Sequence, residues 1–191
     1  MRVITLNKLE FERTCHDLSR HIGESALKFD CIVSIANGGV YVGNEINKYL
    51  KLPHFTVLLQ RSTTRRKSSF KSMLKRLPTW LTDRLRLIES FISRHCSHSG
   101  KDAVPVEIPV ELQAFLVDAD KDKCVLIVDD AIDSGSTVKS VEETIKKQFP
   151  LTEIKIAVIN VTQKRSLNIK DFSAYNECVL IRFPWSLDFK L

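Results

Sequence analysis

The sequence predicts an α/β fold with a mainly parallel central sheet flanked by helices, and three observations carry that prediction. Four apolar runs of strand length (residues 31–36, 55–59, 124–128 and 154–161) are continuous rather than alternating, the pattern of strands buried on both faces. Helical spacing lies between them, so strands and helices alternate, which calls for parallel pairing through right-handed crossovers. A length of 191 residues, with 43% apolar and 27% charged residues, suits one domain over 1–191 with a substantial core.

Taken in order, Met1-Arg2-Val3-Ile4-Thr5-Leu6 runs into charged residues without the apolar core of a signal peptide. No apolar run approaches membrane-spanning length, and the expectation is a cytoplasmic protein with no membrane span. Residues 7–22, with Asn7 as N-cap and apolar Leu9, Phe11, Leu18 and Ile22, read as an amphipathic helix. The strand at 31–36 breaks at Asn37-Gly38-Gly39, and 40–50 reads as a helix. Pro53 resets the chain before the strand at 55–59. Residues 104–109 hold two prolines and fit an edge strand or an extended connector. Asp118, Asp120 and Asp122 imitate the opening of a calcium loop, but Lys123 stands where that loop needs glycine, so calcium is excluded. A helix from the Val138, Val141, Ile145 pattern runs to about Phe149, where Pro150 ends it. The last strand is 178–183, followed by Pro184-Trp185-Ser186.

The net charge of +6 is concentrated. Residues 61–100 hold ten Lys/Arg against Asp83 and Glu89, a net +8, which leaves the rest of the chain at −2. The first part of this segment, 61–69, is polar. In the second, Leu74, Leu77, Leu81, Leu85, Ile88 and Ile92 recur every three or four positions, the spacing of an amphipathic helix with a basic outer face. The five cysteines show no close pairing pattern; Cys31, Cys124 and Cys178 open apolar runs and read as small core hydrophobes. His95-Cys96-Ser97-His98 has no second half to complete a zinc site.

The chemistry gathers in residues 124–137. Five apolar residues run into Asp129-Asp130, then a small-residue loop, then a helix. Two adjacent carboxylates at a buried strand's end cannot stay unpaired in the core, so they emerge at the carboxyl edge of the sheet, where open α/β sheets bind ligands. The loop Asp133-Ser134-Gly135-Ser136-Thr137 offers hydroxyls and backbone N–H groups at a helix N-terminus, which suits an anion. Acids for hydroxyls or a metal, beside a phosphate cradle, suit a sugar phosphate.

This stretch resembles the phosphoribosyl-pyrophosphate signature of type I phosphoribosyltransferases: four apolar residues, two acids, two apolar residues, then an acid and a Ser-Gly-Ser-Thr loop. Ala131 is smaller than usual for its position. The order of elements is most like that of the bacterial xanthine–guanine and other 6-oxopurine phosphoribosyltransferases. The resemblance implies transfer of ribose 5-phosphate from phosphoribosyl pyrophosphate to hypoxanthine, guanine or xanthine, with release of pyrophosphate and with Mg2+ as cofactor. It also implies a small hood and a homo-oligomer, a dimer or tetramer.

Position by position, the resemblance places Asp129 and Asp130 on the ribose hydroxyls, with Asp130 and, through water, Asp188 toward magnesium. Ser134, Gly135, Ser136 and Thr137 would hold the 5-phosphate. Asp133 would act as general base toward the purine ring nitrogen, a task for which a helix N-cap is the bland counterpart. Ala36, Asn37, Gly38 and Gly39 match the pyrophosphate loop, although the family often has Arg or Lys where Asn37 stands. Lys164 matches the lysine that donates to the exocyclic O6, and Trp185 the aromatic that stacks on the purine. Residues 61–100 stand as an insert: a mobile loop closing over the site, then the basic helix. Two other readings follow from the same residues. One is a non-catalytic sensor of phosphoribosyl pyrophosphate or nucleotides that binds nucleic acid through 61–86. The other is a phosphoribosyltransferase for a different base.

Overall fold

The computed structural model describes residues 2–59, 106–117, 122–175 and 179–186. The expected insert at 61–100, Asp118, Asp120, Cys178 and Asp188 lie outside the described residues. Among the described residues six strands form the central sheet: β2 (Cys31–Ile35), β3 (His54–Leu59), β4 (Val106–Glu107), β5 (Cys124–Ile132), β6 (Glu153–Val161) and β7 (Phe172–Tyr175), in the order β4-β3-β2-β5-β6-β7. Every pairing is parallel except that of the two-residue β4 on β3, the edge position its neighbouring prolines required.

The continuous apolar runs are explained by cover on both faces. Helices α1 (Lys8–Gly23) and α2 (Gly38–Leu50) set Leu18, Ile22, Val42 and Ile46 against Ile32, Leu126, Val128 and Ile159. Across the sheet, α3 (Val110–Val117) and α4 (Ser136–Gln148) set Leu112, Leu116, Val138, Val141 and Ile145 against Val33, Ile35, Val125 and Ile127. Successive residues of β2 and β5 thus feed opposite layers, and each fully buried Leu, Ile or Val contributes about 1.5–3 kcal/mol. Asn7 caps α1 as expected, and Glu10 completes a capping box: the Glu10 N–H donates to Asn7 Oδ1 at 2.9 Å and the Asn7 N–H to Glu10 Oε2 at 2.8 Å.

The last strand, β8 (Leu180–Arg182), leaves the main sheet and pairs in parallel with β1 (Val3–Thr5). The Leu6 N–H donates to the Arg182 carbonyl at 2.9 Å, and Arg182 Nη1 donates to Thr5 Oγ1 at 3.0 Å. This two-stranded piece lies on the α1–α2 side, where Phe183 joins the core beside Phe11. Cys15, Cys31 and Cys124 are buried and free, and burial pushes their thiols up, Cys124 to about 11; they pack as small hydrophobes, with little thiolate to react. No helix among the described residues is long and apolar enough to cross a membrane.

Candidate active site

Chain order reverses between β2 and β5. From β2 the chain moves outward to β3, whereas from β5 it moves the other way to β6 and β7. Such a switch point opens a crevice beyond the carboxyl ends of the two strands. Here it is a cleft of about 290 Å³, lined by residues 35–38 from the turn after β2 and by 129–135, Thr137 and Val138 from the turn after β5.

Both turns feed helices whose first N–H groups are left uncapped by a side chain at the N-cap. Asn37 caps α2 and Gly135 caps α4, and neither cap residue supplies a side-chain bond. The N–H donors of both first turns and both positive dipole ends therefore converge on one cleft. In the β5 turn, Ser134 Oγ lies 3.0 Å from Ser136 Oγ and accepts a long bond, 3.4 Å, from the Ser136 N–H. Ser134 and Ser136 are exposed and Thr137 is half-buried. Gly135 sits at φ +80°, where an L side chain is strained, and a methyl group there would strike Ile169 Cδ1. Its glycine is required by the turn and by what packs behind it, in addition to the open approach toward an anion that the sequence suggested.

The two acids stand between the helix ends. Asp129 is 8% exposed, and its Oδ1 accepts from the Asp130 N–H at 2.9 Å. Asp130 is half-buried, and its carboxylate presses against Gly38, where any Cβ would overlap it. A Cβ on Gly39 would come within 2.6 Å of the Val128 carbonyl. The Gly-Gly pair thus lets the first turn of α2 lie directly on the acid-bearing strand, a close approach rather than a loose loop. The Ala36–Asn37 peptide is cis, and Asn37 is exposed beside the cleft.

Asp133 is exposed at the cleft, but its carboxylate is tethered: Oδ1 accepts from Thr162 Oγ1 at 2.6 Å and from Gln163 Nε2 at 2.5 Å. A 3-10 helix over Lys164–Ile169 backs the same turn, with Ser166 Oγ donating to the Asp133 carbonyl at 2.7 Å. Sequence reasoning missed Thr162, Gln163, Ser166 and Ile169. They lie some thirty residues beyond the turn they support, and the only signal was their nearness to Lys164.

Two expected base contacts fall elsewhere. Lys164 is exposed on the first turn of the 3-10 helix and does not line the cleft, because the chain turns away after Gln163. Trp185 stacks on Tyr41, at 4.6 Å and 17°, and on Phe183, at 4.7 Å and 7°, with Phe11 edge-on at 5.0 Å. These contacts tie the turn after β8 to the first turn of α2. Among the described residues no group of three His, Cys, Asp or Glu side chains converges as a metal site.

Residues 5–190 match the phosphoribosyl transferase domain. No curated protein matches the chain. Among solved structures, the chain resembles a purine phosphoribosyltransferase from Pyrococcus horikoshii Ot3 at 22% identity and a TM-score of 0.62, covering 100% of this chain and 98% of that one. It resembles a hypothetical protein from Neisseria gonorrhoeae with bound ppGpp at 16% identity and 0.59, with 96% and 89% covered. The Helicobacter pylori xanthine-guanine-hypoxanthine phosphoribosyltransferase follows at 12% identity and 0.55, with 98% and 95% covered. With its signature strand, its switch-point cleft and a match over nearly its whole length, the chain belongs to the phosphoribosyl transferase family and is a type I phosphoribosyltransferase.

Proposed function

We propose that this protein transfers ribose 5-phosphate from phosphoribosyl pyrophosphate to a purine, with 6-oxopurines as its first substrates. The observation that carries this reading is the juxtaposition of two uncapped helix N-termini with Asp129 and Asp130 between them. The N-terminus of α4, with Ser134, Ser136 and Thr137, takes the 5-phosphate; backbone N–H groups at Gly38 and Gly39 face the pyrophosphate. Asp129 and Asp130 accept hydrogen bonds from the ribose hydroxyls, each worth roughly 1.5–3 kcal/mol for a charged acceptor. Their charge also stabilises the positive ribose carbon as the bond to pyrophosphate breaks and the bond to the ring nitrogen forms. Asp133, at the cleft's rim, accepts the proton that the ring nitrogen gives up.

Asp129 and Asp130 are hard oxygen donors of the kind magnesium prefers, and a cation carried by substrate phosphates needs only one or two carboxylates from the protein. Bound with phosphoribosyl pyrophosphate and held by Asp130, magnesium would supply positive charge against the pyrophosphate leaving group. The purine preference rests on the resemblance to the oxopurine enzymes at Asp133, Lys164 and Trp185.

The test is a panel of bases (hypoxanthine, guanine, xanthine, adenine, uracil and orotate) incubated with phosphoribosyl pyrophosphate and magnesium, following pyrophosphate release. Turnover with an oxopurine, lowered about 10²- to 10⁴-fold but still measurable in Asp133→Asn, is the expected result. Turnover with none of them favours a nucleotide-sensing regulator, and turnover with a pyrimidine alone moves the assignment to another base.

A further inference from the structure

The way Asp133 is held says more than its position does. It is exposed and sits in a loop, where an unsupported carboxylate would sample several rotamers. Instead, two side chains from the end of β6 meet one of its oxygens, Thr162 Oγ1 at 2.6 Å and Gln163 Nε2 at 2.5 Å from Oδ1. Thr162 is 8% and Gln163 5% exposed, so both donors are fixed by packing. The Thr162 N–H also donates to the Ile132 carbonyl at 2.8 Å, which locks the end of β6 to the residue before Asp133. Ser166 Oγ holds the Asp133 carbonyl from behind.

Both donors land on Oδ1. Among the described residues Oδ2 accepts no hydrogen bond, which leaves it as the oxygen available to the cleft that Asp133 lines. Both donors are also neutral. An ammonium or guanidinium in their place would orient the carboxylate but cancel its charge; a hydroxyl and an amide orient it and leave the charge intact. A group meant to accept a proton needs both the orientation and the charge. Lys164, the next residue, is exposed and makes no bond to Asp133, so among the described residues the neutral pair does this work.

We infer that Thr162 and Gln163 are the positioning residues of Asp133, selecting Oδ2 as the oxygen that meets the base. This rests on the reading of Asp133 as proton acceptor. The test uses steady-state kinetics of the full chain with phosphoribosyl pyrophosphate, magnesium and the accepted base. Gln163→Met and Thr162→Val keep shape and remove the donors; together they should lower kcat by about 10²-fold while KM for phosphoribosyl pyrophosphate stays within about twofold. Thr162→Ser, which keeps the hydroxyl, should restore activity to within about threefold of the wild type. In an Asp133→Asn background, adding Gln163→Met should change kcat no further, because both act through one carboxylate. If the double variant does not fold, Gln163→Met alone is judged by the same split. An additive loss in the Asp133→Asn background assigns Gln163 a purely structural role and overturns the inference. So does undiminished turnover in the double variant when Asp133→Asn is impaired, and that result leaves Asp133 as the base. Undiminished turnover in Asp133→Asn itself removes the base and this inference with it.

Discussion

The turn after β2 and the turn after β5 are built to one plan and supply different things. Each ends a buried parallel strand, each passes through glycine, and each opens a helix with no side-chain cap. In the β2 turn the glycines exist for contact, since Gly38 lies on the Asp130 carboxylate and Gly39 on the Val128 carbonyl. Its one polar side chain, Asn37, is uncharged. The β5 turn carries the acids and hydroxyls and is braced from behind by Thr162, Gln163, Ser166 and Ile169. One half offers bare N–H groups and shape, the other charge and hydroxyls. An anion cradle needs only backbone, whereas holding a ribose and moving a proton need side chains held by a second layer.

Variants can break that division. The largest effect belongs to the acids: Asp129→Asn with Asp130→Asn should lower kcat about 10³-fold, measured as base-dependent pyrophosphate release, with the fold intact by circular dichroism. Gly38→Ala comes next. Its methyl group pushes on the movable end of Asp130, so kcat should fall about tenfold or more with a stability change under about 1 kcal/mol in urea unfolding. Gly135→Ala should reverse that ratio for stability. Its backbone at φ +80° costs about 1–2 kcal/mol, and the contact with Ile169 adds to it, so Ile169→Val in the same chain should recover part of the loss.

Asn37→Arg should sharpen the contrast in the other direction. A guanidinium beside the β2 turn gives that half the charge it lacks and should tighten pyrophosphate inhibition by about three- to tenfold, in line with one charge-assisted pair. The smallest effect is on pH. His54 Nε2 lies 2.7 Å from Ser34 Oγ beneath α2, and burial lowers its affinity for a proton. The folded protein therefore binds fewer protons than the unfolded chain as pH falls through the ordinary imidazole value of about 6.5. Stability should be full above that pH and decline below it, and His54→Gln should flatten the decline in urea titrations at stepwise lower pH.

The strands and helices that make the cleft were readable because their signals are local. Continuous apolar runs marked β2, β3, β5 and β6, and the Asn7 and Pro150 signals bounded α1 and α4. β1 and β7 were not read: at three and four residues they are too short to show a period, and the partner of β1, β8, lies at the other end of the chain. The acids and the small-residue loop could be placed because Asp129 to Thr137 are contiguous. Thr162 and Gln163 could not, because nothing in a polar pair after a strand says which carboxylate it will meet. Trp185 shows the converse: a residue matched by resemblance whose indole also stacks on Tyr41, forty residues into the chain, a contact that no local pattern announces.

The central claim is that the cleft between the two helix N-termini grips a phosphorylated pentose through Asp129 and Asp130. Calorimetric titration of phosphoribosyl pyrophosphate with magnesium into the wild type and into the Asp129→Asn, Asp130→Asn variant tests it most directly. The account predicts one site per chain in the wild type and binding weakened by about tenfold or more in the variant, as two lost charged hydrogen bonds require. Equal affinity in both proteins, or no binding in the wild type, would contradict it.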